Sequence, residues 1–162
     1  AAVTAAIESR PWRPEDAAEI RAMRQRLEDS ASMRNLKRGA GGTMDVEFAV
    51  QMLQLKHGRE LPQVRIPGTL DALKALREAD CLSADDATIL ESNYRFQRST
   101  EARIRLMDAV GRHEFPDDPR DLAKLAFLLG YADAKELGDE VGRAFCATRE
   151  VFMRIFDAAQ RG

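Results

Sequence analysis

The chain has 162 residues, 44% of them hydrophobic and 32% charged, with 25 basic against 27 acidic side chains. A single domain of this length buries roughly 68–70% of its unfolded surface, enough for one core, and ten glycines with six prolines exclude a low-complexity or disordered chain. A net charge of −2 supplies no global field for gripping nucleic acid or an anionic membrane, and no apolar run nears the roughly 18–20 residues that span a bilayer.

Ala1 to Arg13 carry no basic start followed by an apolar stretch, so no secretory signal is read there, and the absence of an initial methionine suggests a fragment of something longer. Cys81 and Cys146 match no metal-ligand spacing. Two free thiols in a cytoplasmic chain is the plain reading.

The periodicity is helical almost throughout, with no alternating, β-branched stretch of the kind a half-buried strand needs. Pro14 suits the first turn of a helix expected to run to about Met33, with Ile20, Met23 and Leu27 on one stripe. Three glycines, Gly39, Gly41 and Gly42, then break the chain. Thr43 is expected to cap a second helix, whose first turn holds Asp45 and Glu47 where the dipole favours negative charge. Its run of Val46, Phe48, Ala49, Val50, Met52, Leu53 and Leu55 places it at the buried centre, and His57-Gly58 reads as a left-handed glycine stop.

Thr69 is expected to cap a third helix with Leu70, Leu73 and Leu76 inward. Ser83 with Asp86 reads as a capping box opening a long fourth helix to about Gly111. Asp118-Pro119 opens a fifth that stops at Gly130, and Asp133 with Glu136 opens a sixth. The sixth carries a near-heptad seam of Leu137, Val141, Phe145, Thr148, Phe152, Ile155 and Ala159. The expectation is an all-α bundle of about six helices, one domain over 1–162 with its core at about 14–160.

The glycine-rich break is the most informative segment. Lys37, Arg38 and the backbone N–H groups of Gly41 to Thr43 would converge at a helix start, an arrangement suited to phosphate. Neither a P-loop nor a dinucleotide fingerprint is present, since no strand precedes the glycines and no Gly-Lys-Ser/Thr follows them. An ordinary interhelical turn packed tightly on its glycines is the competing reading. Glu47, among apolar neighbours, requires a partner, expected to be an arginine. In the fourth helix Gln97 and Glu101 interrupt the inward seam, with Arg95, Arg98, Arg103 and Arg105 around them. Those arginines either form a wet face, line a phosphate-facing cleft, or pair with Asp45 and Glu47. His57 and His113 have no ligand-spaced partners, so no zinc site is expected. No catalytic constellation emerges.

The run from Lys37 to Gln51, continuing Met52-Leu53-Gln54-Leu55, resembles a signature of bacterial glutamine synthetase adenylyltransferases, approximately Lys-x-Gly-x-Gly-Gly-x-x-Asp/Glu-Ile-Glu-Phe-x-Val-Gln. Ile20 to Arg24 resembles the arginine-bearing helix before it, Thr69 to Leu73 an Asn-Thr-Leu-x-Ala-Leu segment in which Gly68 replaces the asparagine, and Tyr94 to Arg98 with Glu101 and Arg103 a Tyr-x-Phe-Leu-Arg-x-x-Glu-x-Arg helix. Leu125-Ala126 and Leu129-Gly130-Tyr131 fit as well.

The resemblance implies a helical domain of the substrate-binding type that follows a nucleotidyltransferase domain in a bifunctional enzyme. One half transfers AMP from ATP to a tyrosine of glutamine synthetase and the other removes it by phosphorolysis. Both use magnesium held by a Gly-Ser-x-x-Asp-x-Asp motif that does not occur here. The fragment is therefore expected to hold no catalytic or metal-ligating residue and to be inactive alone. Met44-Asp45 points to the adenylylating half. Lys37, Arg38, Gly39, Gly41 and Gly42 are expected to face the nucleotide, with Asp45, Glu47, Arg24, Arg98 and Glu101 in support. Implied partners are the adjacent nucleotidyltransferase domain, glutamine synthetase and the nitrogen-signalling protein. The alternatives are a docking module with no nucleotide contact, or the same domain of the related uridylyltransferase.

Overall fold

A computed structural model describes residues 10–107 and 113–161. Six α-helices account for most of them: α1 (Pro14–Asp29), α2 (Thr43–His57), α3 (Thr69–Glu78), α4 (Ala84–Met107), α5 (Pro119–Leu129) and α6 (Ala134–Arg161), with a 3-10 turn over Pro62–Val64. The described residues contain no strand beyond an isolated bridge between Asn35 and Glu114. No helix among them is long and apolar enough to cross a membrane.

The termini follow local chemistry, with several corrections. Asp118 caps α5 by accepting from the Arg120 and Asp121 N–H groups at 2.8 and 3.3 Å, and Gly130 ends it at φ +80°. Helix α1 stops at Asp29 rather than near Met33, because Ser30 closes the last turn on the Leu27 carbonyl. The N-caps of α2 and α3 are Gly42 and Gly68 rather than the threonines that follow them. Gly58 sits at φ −65°, so it ends α2 without the left-handed turn. In the Ser83 box only half forms: the Asp86 N–H donates to Ser83 Oγ at 3.1 Å, while the Asp86 carboxylate pairs with Arg154 of α6. The expected end of α4 near Gly111 lies outside the described residues, which carry the helix to Met107.

Helix α6 is the spine, packed against α1, α2, α4 and α5. Its seam residues Leu137, Thr148, Phe152, Ile155 and Ala159 are buried, as are Val46, Ala49, Val50, Met52 and Leu53 of α2. A main core joins α2, α3, the start of α4 and the C-terminal half of α6, with the Phe152 and Phe156 rings 4.4 Å apart. A smaller one gathers Leu36, Ile104, Leu125, Ala126 and Leu137. Between the two cores lies a belt of buried polar groups, and the glycine break sits in it.

At the entry to α1, Arg10 donates to both oxygens of Asp16 at 2.7 Å, and the Arg13 N–H donates to Asp16 Oδ2 at 2.9 Å. The hydrogen bond from Arg10 holds the Asp16 carboxyl below its ordinary value, against the opposing effect of burial. Stability from this group is therefore full above about pH 4 and lost as pH falls through the lowered folded-state pKa. Asp16→Asn is expected to cost about 1 kcal/mol at pH 7. In urea titrations the gap to wild type should narrow steadily below pH 4. A gap independent of pH would refute the assignment.

Candidate functional site

The break between α1 and α2 is a wound turn tied to itself. Asn35 Oδ1 accepts from the Lys37 and Arg38 N–H groups at 3.1 and 2.8 Å. Gly39 N–H donates to Asn35 O, Gly42 to Gly39 O, Thr43 to Leu36 O, Met44 to Lys37 O and Asp45 to Gly42 O, all within 3.1 Å. Gly41 N–H donates to Asp45 Oδ2 at 2.8 Å. These bonds correct the expectation of free donors: the N–H groups of Gly41 to Thr43 already have protein acceptors, so no open anion cradle forms from this backbone. Gly39, Gly41 and Gly42 are buried, while Lys37 is half-buried and Arg38 exposed. Neither cation has an ion-pair partner among the described residues.

Gly41 shows what the glycines do. At φ +77° it brings the turn onto α6 so closely that a Cβ there would lie 2.0 Å from the Phe145 carbonyl oxygen. The packing reading therefore accounts for the glycines.

Beneath the turn, four charges form a closed set. Arg24 of α1 and Asp45 of α2 are both essentially inaccessible, with Arg24 Nε 2.6 Å from Asp45 Oδ1. Arg24 Nη2 donates to the Gly39 carbonyl at 2.9 Å, and its Nη1 lies 3.4 Å from Glu28. Arg149 of α6 reaches Asp45 Oδ2 at 3.1 Å and Glu28 Oε2 at 3.0 Å, with its guanidinium 5.1 Å from the centre of the Phe152 ring. Two guanidinium groups thus balance two carboxylates where an unpaired charge would be very costly. Burial pushes the Asp45 carboxyl up, against the pull of Arg24, Arg149 and the Gly41 N–H. The family likeness offered Arg24 or an arginine of α4 as partners for Asp45, but Arg149 was missed because nothing local marks it. Only the register of α6 against the turn brings it in.

Helix α4 supplies the other wall. Gln97, buried, donates from Nε2 to the Gly41 carbonyl at 2.7 Å. Buried Glu101 is paired to Arg98 at 2.9 Å, and its second oxygen lies 4.0 Å from His113 Nδ1. No α4 arginine reaches Asp45 or Glu47 among the described residues. Glu47 takes a different partner from the arginine expected: the Tyr94 hydroxyl donates to its Oε1 at 3.1 Å. Burial pushes the Tyr94 hydroxyl's pKa up.

Glu47 and Thr69 open onto a groove of about 340 Å³ between α2, the 65–68 loop and the start of α3. Buried Gln54 pins that loop by donating to the Val64 and Ile66 carbonyls, both at 2.8 Å, and Arg65 Nε donates to Gly58 O at 2.6 Å. Among the described residues no three His, Cys, Asp or Glu side chains gather where a metal ion would sit.

A family model described as GlnD PII-uridylyltransferase matches residues 15–157. A protein of Cutibacterium acnes named bifunctional glutamine synthetase adenylyltransferase/adenylyl-removing enzyme is 39% identical over 140 residues, covering 84% of this chain and 14% of that protein. A Nocardia farcinica protein of the same name is 36% identical over 156 residues, covering 89% of this chain and 16% of its own length. One from Mycolicibacterium smegmatis is 42% identical over 109 residues, covering 65% and 11%. The chain thus spans about a seventh of the curated relatives it matches.

Proposed function

The chain belongs to the family of the bifunctional glutamine synthetase adenylyltransferase/adenylyl-removing enzymes, and from that premise we propose that it is the helical domain that follows a nucleotidyltransferase domain in such an enzyme. In this reading the whole enzyme transfers AMP from ATP to a tyrosine of glutamine synthetase, or removes it, in the cytoplasm and under a nitrogen-signalling protein. The observation that carries it is similarity over 84–89% of the chain to proteins bearing that name. The uridylyltransferase alternative rests on the description of the family model alone, and the relatives favour the synthetase modifier.

ATP and magnesium are assigned to the nucleotidyltransferase domain outside this chain, where magnesium would neutralise phosphate charge. The residues here act by position. The set of Arg24, Glu28, Asp45 and Arg149 fixes the turn against α1 and α6, and the glycines let it approach. This leaves Lys37 and Arg38 on its rim as the groups suited to face a triphosphate held by the neighbouring domain.

The test uses the full-length parent with glutamine synthetase, ATP and magnesium, read by intact-mass spectrometry. Wild type is expected to add AMP to the synthetase, and Lys37→Ala to raise the ATP requirement about tenfold with the protein still folded. Removal of AMP in phosphate, with no addition, would place the chain in the other half. If Lys37→Ala changed only the affinity for the synthetase, the turn would be a docking surface. If neither reaction occurred, the functional reading would be wrong.

A further inference from the structure

Three segments singled out in the sequence, Lys37–Leu55, Thr69–Leu73 and Tyr94–Arg103, are far apart along the chain. They meet at one place that the glycine turn does not explain: the groove between α2 and the start of α3. Glu47 of the first segment and Thr69 of the second line it, and Tyr94 of the third donates from its hydroxyl to Glu47 Oε1 at 3.1 Å. Gln51 stands one turn after Glu47 on the same helix face, exposed and lining the same groove. The far wall is the loop held by buried Gln54.

The chemistry of this wall is selective. The Tyr94 hydroxyl occupies one oxygen of Glu47, leaving the other with acceptor capacity only. Gln51 adds one amide donor and acceptor a turn away. The Glu47 carboxylate facing the opening repels phosphate beside it, and Arg65, the cation that also lines the groove, donates its Nε to the Gly58 carbonyl. A carboxylate beside an amide matches two adjacent hydroxyl groups instead, since each hydroxyl both donates and accepts. A carboxylate on a ribose hydroxyl is a recurrent device in nucleotide sites. The groove volume of about 340 Å³ lies at the low end of the roughly 300–1,000 Å³ of small-molecule sites, room for a sugar but not a whole nucleotide.

We infer that this groove is a ribose-diol subsite, in which Glu47 and Gln51 hydrogen-bond the two sugar hydroxyls of the nucleotide, while Tyr94 holds the Glu47 carboxylate in place. The inference rests on the reading of the chain as part of an adenylyltransferase, since the rest of the nucleotide lies on the neighbouring domain.

Calorimetric titration of the full-length parent with ATP and with 2′,3′-dideoxy-ATP tests it without requiring turnover. Wild type is expected to bind ATP at least tenfold more tightly than the dideoxy analogue, and Gln51→Ala and Glu47→Gln to bind the two within about threefold of each other. Gln51 is exposed and has no hydrogen-bond partner among the described residues, so its truncation leaves folding intact and isolates the contact. If wild type fails to discriminate, or if both variants keep the full ratio, the subsite is refuted. A changed affinity for glutamine synthetase with the nucleotide ratio preserved would also refute it and assign the groove to the protein substrate. Transfer of AMP, measured separately, reports on the adenylyltransferase reading, so the two fail independently.

Discussion

Gly41→Ala is expected to destabilise the chain by about 4 kcal/mol or more, lowering the melting temperature by roughly 10 °C at this chain length. Two costs add. A left-handed backbone costs an L-residue about 1–2 kcal/mol, and Gly41 stands at φ +77°. The larger cost is steric, because the new methyl would lie 2.0 Å from the backbone oxygen of Phe145. A helix carbonyl cannot rotate away as a side chain would, so the turn must lift off α6. That lift strains the 2.7 Å bond from Gln97 to the Gly41 carbonyl and the 3.1 Å contact of Arg149 with Asp45. Gly130→Ala is the control: φ is +80° there too, but no atom lies within 4 Å of the added Cβ. It should cost the backbone part alone, about 1–2 kcal/mol. Equal losses in the two variants, measured by urea or thermal unfolding, would show that the turn tolerates separation from α6.

Removing one member of the buried charge set is expected to cost about 3–5 kcal/mol. Asp45→Ala leaves the Arg24 guanidinium, 1% exposed, with the Gly39 carbonyl and a 3.4 Å approach to Glu28. Arg24→Met leaves Asp45 with Arg149 and should cost less, because one guanidinium still compensates the carboxylate. The double variant Arg24→Met with Asp45→Ala removes a charge of each sign and keeps Arg149 beside Glu28 at 3.0 Å. It is expected to be at least 1 kcal/mol more stable than the sum of the single losses predicts. Strict additivity in the double-mutant cycle would mean that the charges act independently and do not lock the turn.

Much of this was legible before the fold was known. Helical periodicity, proline at the first turns of α1 and α5, and the caps at Asp118 and Ser83 are local properties, set by backbone sterics and hydrogen bonding within a few residues. Arg24 entered only through the family likeness, which offered it and an arginine of α4 equally as partners for the acids of the second helix. The role of the glycines was not legible. A run of glycines before a helix offers the same backbone freedom whether its N–H groups face a ligand or its own carbonyls. The choice lies in where Phe145, about a hundred residues later, crosses the turn. Arg149 was hidden for the same reason.

The residue pattern set the all-α class, the order and approximate extent of the helices, the buried faces of α2 and α6, and the segments that carry the family likeness. Each follows from side-chain spacing, which acts over one or two turns of chain. Helix packing set the closure of the glycine turn on itself against α6, the pairing of Glu47 with Tyr94 rather than with an arginine, and the gathering of Glu47, Gln51 and Thr69 in one groove. Those facts depend on the register and crossing of helices distant along the chain, and burial energy fixes that register only when all the faces are packed at once.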